Sequence, residues 1–287
     1  MTKLVWDQIG ERFYETGVDH GVLYIPNQQG VYDNGVAWNG LTAVTETPGG
    51  AEANAQYADN IKYLNLFSAE EFAATVEAFT YPDEFAQFDG LATPAPGVVV
   101  AQQARRMFGL SYRTRLGNDL QGDDLGYKIH LIYGCQASPS EKAYSTINDS
   151  PEPITFSWEV STTSQAVTGH RPTSLIVIDS TKVGAAALTQ LENLLYGTVG
   201  ANPSLPTPDE VLALFAGTVQ EVFPTAPTAT GNDIAIPSTP GVVYTVKGGV
   251  VTGTVTITED TVVTARPAKG YVFLQPSVSA WLFDATP

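Results

Sequence analysis

PITFSWEVSTTSQAVTGHRPTSLIVIDS, residues 153–180, is the stretch that sets the fold class. Its first part alternates with the two-residue period of a half-buried strand. Ile154, Phe156, Trp158 and Val160 fall on one face, and Thr155, Ser157, Glu159 and Ser161 on the other. A turn punctuated by Gly169 and Pro172 follows. Leu175, Ile176, Val177 and Ile178 then make an apolar run, expected as a strand covered on both faces. No catalytic signature accompanies the block.

Downstream of this block, residues 184–196 carry Leu188, Leu191 and Leu195 at helical spacing, with Gly197 as the stop. Thr207-Pro208-Asp209-Glu210 announces a second, short helix ending near Gly217: threonine at the N-cap, proline at the first helical position, acids in the first turn. Upstream, residues 107–115 place Phe108, Leu110 and Tyr112 on one face, as an edge or half-exposed strand would. A charged loop over 116–124 and a strand over 127–136 follow. Nearer the N-terminus, residues 12–18 and 21–25 predict a hairpin about Asp19-His20. Residues 36–47 and 61–67 predict further strands, and TPGGA at 47–51 a flexible loop between them. Ser68 and Glu71 fit a capping box ahead of Phe72, Val76 and Phe79, which predicts a helix over 69–79 stopped before Pro82.

PTAPTATG at 224–231 has linker composition and coincides with a change in charge. Residues 1–222 hold 26 acids against 11 bases, whereas 223–287 hold 4 against 3. The expected organisation is a larger domain over 1–222 and a smaller one over 223–287. In the latter, 242–246, 253–258, 261–266 and 271–274 are short strands at the spacing of a small β-sandwich, with Val255 and Ile257 facing inward. The fold class is mainly β: a β-sandwich with flanking helices, followed by a small C-terminal sandwich.

Composition narrows the chemistry. Cys135 is the single cysteine, so no intrachain disulfide or multi-cysteine zinc site exists; alternation places it with Ile129, Leu131 and Tyr133 as a buried small hydrophobe. No segment approaches the ~18 apolar residues of a membrane helix, and the N-terminus meets Asp7 before any signal-peptide core, so a soluble species is expected. The three histidines, His20, His130 and His170, show no metal-site spacing. GxSxG is absent, and Gly248-Gly249 lacks the rest of a phosphate loop. Asp119, Asp123 and Asp124 are hard ligands on one loop but do not follow the calcium-loop template. Glu70-Glu71 and Asp209-Glu210 each occupy an expected first helical turn, where the helix dipole accounts for them. Arg105-Arg106 and Arg113 with Arg115 form the basic cluster, expected to make ion pairs between subunits. The expected sites are therefore catalytic none, cofactor none and metal none.

TFSWEVSTT (155–163), HRPT (170–173), LTQLENLLYG (188–197) and LPTPDEV (205–211), in this order with strand, turn, strand and helix, resemble the major tail (tail tube) proteins of long-tailed phages that infect actinobacteria. TARPAKGYVF (264–273) with Ser279-Ala280-Trp281 looks like the small immunoglobulin-like modules attached to phage structural proteins. The resemblance implies a virion structural protein, made in the host cytoplasm, whose copies form stacked hexameric rings and join other tail proteins. DNA would pass through the bore without being bound. An acidic wall suits that task, because a basic one would hold DNA by counterion release. Glu159 is the candidate lumen residue. Pro48, Gly49, Gly50, Asp119, Asp123 and Asp124, with the N-terminal arm to Arg12, are candidates for ring stacking. The C-terminal module would decorate the outside, where host surface glycans are a candidate contact. The runner-up reading is a β-rich adhesion or carbohydrate-binding protein with Tyr32, Trp38 and Tyr57 as exposed aromatics; a carboxylate hydrolase is the third.

Overall fold

The computed structural model describes residues 6–147, 149, 151–217, 220–274 and 277–285. Its main body runs β1 (Phe13–Pro26), β2 (Tyr32–Trp38), β3 (Leu41–Glu46), β4 (Gly49–Gly50), β5 (Ala53–Ala58), β6 (Ile61–Phe67), β7 (Glu70–Glu71) and β8 (Ala73–Ala78). A 3-10 turn (Asp83–Gln87), β9 (Ala92–Ala95), β10 (Val98–Val100), β11 (Phe108–Asn118), β12 (Gly122–Ala137), β13 (Phe156–Thr162), β14 (Leu175–Asp179), α1 (Ala185–Tyr196) and α2 (Pro208–Phe215) complete it. The chain is mainly β, as the alternation in 154–161 leads one to expect.

Strands pair in the order β2-β1-β11-β12-β13-β8-β3, and β14 joins β12 beside this path. The end strands β2 and β3 are consecutive in the chain, separated by Asn39-Gly40 alone, so the sheet curls until its ends meet at that turn. Inside the curl lies a core of Leu23, Trp38, Val76, Leu110, Trp158 and their neighbours. A second core lies on the opposite face of β1, β12 and β14, where Val22, Tyr24, Ile129, Leu131 and Ile178 meet Leu188, Leu191 and Leu195 of α1. Strand β1 feeds both cores by alternation, Val22 and Tyr24 one way and Leu23 the other. Both helices form where the sequence places them. Gly197 ends α1 with φ of 76°, and Thr207 and Glu210 close a full capping box on α2.

Several expectations change. The expected hairpin is one strand, Phe13–Pro26: Gly17 and His20 take positive φ and the register slips on both sides of Asp19, so the bends are bulges. Residues 36–47 form two strands, because Gly40 turns the chain between β2 and β3. Strand β11 lies between β1 and β12 and buries Ser111, so it is interior and no edge. Strand β14 is not covered on both faces along its whole length: Leu175 packs against the first core, but Val177 on the same face is 43 % exposed. Cys135 is buried, yet it faces the first core while Ile129, Leu131 and Tyr133 face the second. A bulge at Gly134, φ 60°, reverses the alternation there.

The largest departure concerns 69–79, which is strand and no helix. Ala74, Val76 and Ala78 of β8 alternate with Thr75 and Glu77 and pair with β13 on one side and β3 on the other. The sequence fits both periods; the flanking strands supply the backbone partners that settle it.

The C-terminal segment contains β15 (Gln220–Val222), β16 (Thr228–Thr230), β17 (Asp233–Ile236), β18 (Val242–Val246), β19 (Gly249–Val250), β20 (Gly253–Thr256), β21 (Thr261–Pro267), β22 (Tyr271–Phe273) and β23 (Ala280–Phe283). Sheets β16-β17-β20 and β19-β18-β21-β23 enclose Ile234, Tyr244, Ile257 and Val263. Strand β15 pairs in parallel with β22. The linker-like run is tethered, since the Tyr244 hydroxyl donates to Thr225 O (2.7 Å) and accepts from Thr225 N (3.0 Å).

Candidate assembly surfaces

The stretch from β3 to β8 builds a feature the sequence does not announce. Pairing from Ala43↔Glu77 through Gly49↔Glu71, Gly50↔Glu70 and Ala53↔Phe67 to Gln56↔Leu64 keeps one register throughout. The whole is one long β-hairpin whose root is embedded in the sheet and whose outer part is a two-stranded ribbon. Asp59 and Asn60 turn its tip, both with positive φ, which suits the short polar side chains used in such turns. Beyond the sheet the ribbon exposes Tyr57 (72 %), Ile61 (63 %), Tyr63 (69 %), Leu66 (56 %) and Phe67 (67 %). β-Residues point alternately to opposite faces, so Leu66 and Phe67 put apolar surface on both sides of it. A lone two-stranded ribbon is marginal in water, and this one leaves apolar side chains uncovered. Pro48, Gly49 and Gly50 lie in this arm: Gly49 and Gly50 pair with Glu71 and Glu70, where a flexible loop was expected.

Glu159 is exposed on β13, on the face away from Trp158 and Val160. Its cross-strand partner is Thr75, and Ser157 pairs with Glu77. This face therefore carries Glu77 and Glu159 amid serine, threonine and alanine. Strands β3, β8 and β13 contain no lysine or arginine. None of their residues joins the core that seats the helices, so the polar face lies apart from α1 and α2.

The second loop candidate is a tight turn. β11 and β12 stay paired as far as Asn118↔Gly122. Asp119 is engaged within the chain, its carboxylate accepting Gly10 N at 2.9 and 3.2 Å; Asn118 Nδ2 donates to Gly10 O. The turn also touches the C-terminal segment: Leu120, Gly10 and Gly248 approach closely enough that a Cβ at Gly10 would stand 2.9 Å from Gly248 Cα. Asp123 faces Arg115 at 3.6 Å, and both Asp123 and Asp124 are exposed.

The basic cluster is likewise used internally, contrary to the intersubunit pairing expected. Asp19 takes Arg113 Nε (2.8 Å), Arg115 Nε (3.3 Å) and His20 Nδ1 (2.8 Å). Partial burial pushes the Asp19 carboxyl up, but the Arg113 and His20 contacts override it and hold it down at about 2. Arg105 meets the buried Asp89, which Lys142 also pairs. A second cluster stitches the arm root to β11 and β12. Tyr112 donates to Glu46 (2.6 Å), His130 Nδ1 lies 3.1 Å from the same carboxylate, and Lys128 pairs with Glu15. Burial lowers the His130 pKa against the pull of Glu46 and Glu15, so the ring holds less charge than an exposed histidine.

Of the aromatics that favoured carbohydrate binding, Trp38 is buried and donates to Thr80 O, and Tyr32 is half-buried with its hydroxyl accepting Gly134 N. Only Tyr57 is exposed as that reading requires. Among the described residues no three His, Cys, Asp or Glu side chains converge on a metal position, and no helix is long and apolar enough to cross a membrane. Among known proteins, no family model and no curated sequence matches the chain.

Proposed function

We propose that the chain is a structural virion protein, the major tail (tail tube) protein of a long-tailed phage, whose copies close into hexameric rings and stack into a tube. The observation that carries the reading is the arm: a ribbon with exposed apolar side chains and two free edges calls for neighbours to complete it. Tyr57, Ile61, Tyr63, Leu64, Leu66 and Phe67 are 40–72 % exposed, so covering them at ~1.5–3 kcal/mol per fully exposed side chain gives roughly 5–11 kcal/mol per arm. That is comparable with the ~4–15 kcal/mol cost of associating two bodies. One arm breaks about even; several arms per ring make the stack favourable.

In this reading the curled sheet is the β-sandwich subunit, and the free outer edges of β3 and β14 meet adjacent copies around the ring. The face bearing Glu77 and Glu159 lines the bore, the helix-covered face points outward, and the C-terminal immunoglobulin-like module decorates the exterior. DNA then moves past carboxylates that offer it no counterion exchange. The reading assigns no reaction and no cofactor. Electron microscopy of the purified chain tests it: sixfold rings or tubes are expected. A monomer that persists at high concentration, by light scattering as well as by imaging, overturns it.

A further inference from the structure

We propose that the arm tip of one copy, residues 57–62, seats in the groove between the arm root and the GHRPT turn of the next copy. This rests on the stacked-copy reading and names the receiving surface. The groove, of about 650 Å³, is lined by Phe67, Glu70 and Phe72 on the arm side and by Arg171, Pro172 and Leu175 on the other. It offers apolar walls, one cation and one anion. The tip offers the complement: Tyr57 and Ile61 as exposed apolar groups, with Asp59 and Lys62 beside them.

Charge usage singles out this pair of surfaces. Among the described residues of the main body, Arg12, Arg105, Arg106, Arg113, Arg115, Lys128, Lys142 and Lys182 each make an ion pair or hydrogen bond within the chain. Lys62 and Arg171 are the two whose side chains make neither. One lies at the tip and the other in the groove, each beside an acid, Asp59 or Glu70, whose carboxylate is also without a partner among the described residues. Asp59 against Arg171 and Lys62 against Glu70 satisfies all four. A chain cannot do this for itself. The strand register holds Asn60 ten residues from Glu70, roughly 33 Å of extended ribbon. The contact is consequently head-to-tail between different surfaces, the kind that propagates into an open stack.

The test uses full-length Asp59→Lys and Arg171→Glu, alone and mixed, with tube growth followed by light scattering and electron microscopy and folding by circular dichroism. Each variant alone opposes like charges at every tip and is expected to raise the critical concentration for tube growth about tenfold or more while rings and fold persist. In an equimolar mixture the altered tips of the first variant meet the altered grooves of the second with opposite charges restored, and the unaltered tips and grooves meet as in wild type. Growth then returns to within about threefold of wild type. Single variants that grow like wild type, or a mixture that stays impaired, overturn the inference while leaving wild-type tubes, and so the stacked-copy reading, intact. A wild-type chain that forms neither rings nor tubes overturns both.

Discussion

Single residues redirect this chain where side-chain pattern gives no warning. Gly134 takes φ of 60°, and a Cβ there would stand 2.3 Å from Thr163 O, so glycine permits both the bulge and the close approach of the following strand. That bulge moves Cys135 to the other core, which alternation cannot foresee because a bulge leaves no periodic trace. His20, with positive φ on a non-glycine residue, bends β1 in the same way; Asp19 beside it gathers Arg113, Arg115 and His20. Arg113 and Arg115 were legible as a cluster, but their partner lies far away in sequence, so the pairing was not. Asp19 has a folded-state pKa held below its ordinary value, so its contribution is present above about pH 4 and is lost as pH falls towards 2. Asp19→Asn should cost about 1 kcal/mol at pH 7, allowing for solvent screening of a partly exposed carboxylate. Urea denaturation at successive pH values should show the wild-type advantage shrinking below pH 4; an advantage independent of pH would refute the role.

At the scale of elements, what could be read in advance was what carries its own local signal. Helices α1 and α2 announce themselves through leucine spacing, Gly197 and the Thr207–Glu210 box, and β13 through unbroken alternation. Residues 69–79 mislead because Ser68, Glu71 and the Phe72-Val76-Phe79 spacing satisfy helical rules, while Phe72, Ala74, Val76 and Ala78 also satisfy strand rules. Only the presence of β3 and β13 on either side decides between them, and that is tertiary information. The arm was missed for the same reason, since its register spans TPGGA, which taken locally is a loop. Replacing residues 51–69 by a two-residue Asn-Gly turn should leave the body folded, because none of the replaced residues belongs to either core of the main body. Thermal unfolding should move by no more than a few degrees, whereas assembly into tubes should be abolished; a shortened chain that still forms tubes would remove the arm from the stacking contact.

For the molecule as a whole, the uneven charge was visible in the sequence and its placement was not. The acidic excess sits in the main body, and within it Asp19, Asp89 and Glu15 take five of the lysines and arginines, while none lies on β3, β8 or β13, so the only charged groups on that face are carboxylates. The C-terminal segment, nearly neutral, has its own core, and the run that leads into it is held down by the β15–β22 pair and the Tyr244–Thr225 bonds. A composition shift finds such a boundary; it does not show that the connecting run is pinned. The account stands on a set of copies whose β3, β8 and β13 faces together surround a negatively charged bore. A cryo-electron-microscopy reconstruction of the assembled particle measures this directly. The account predicts Glu77 and Glu159 pointing into the channel with the helices outside; a channel lined by lysine and arginine, or by the helix-covered face, would contradict it.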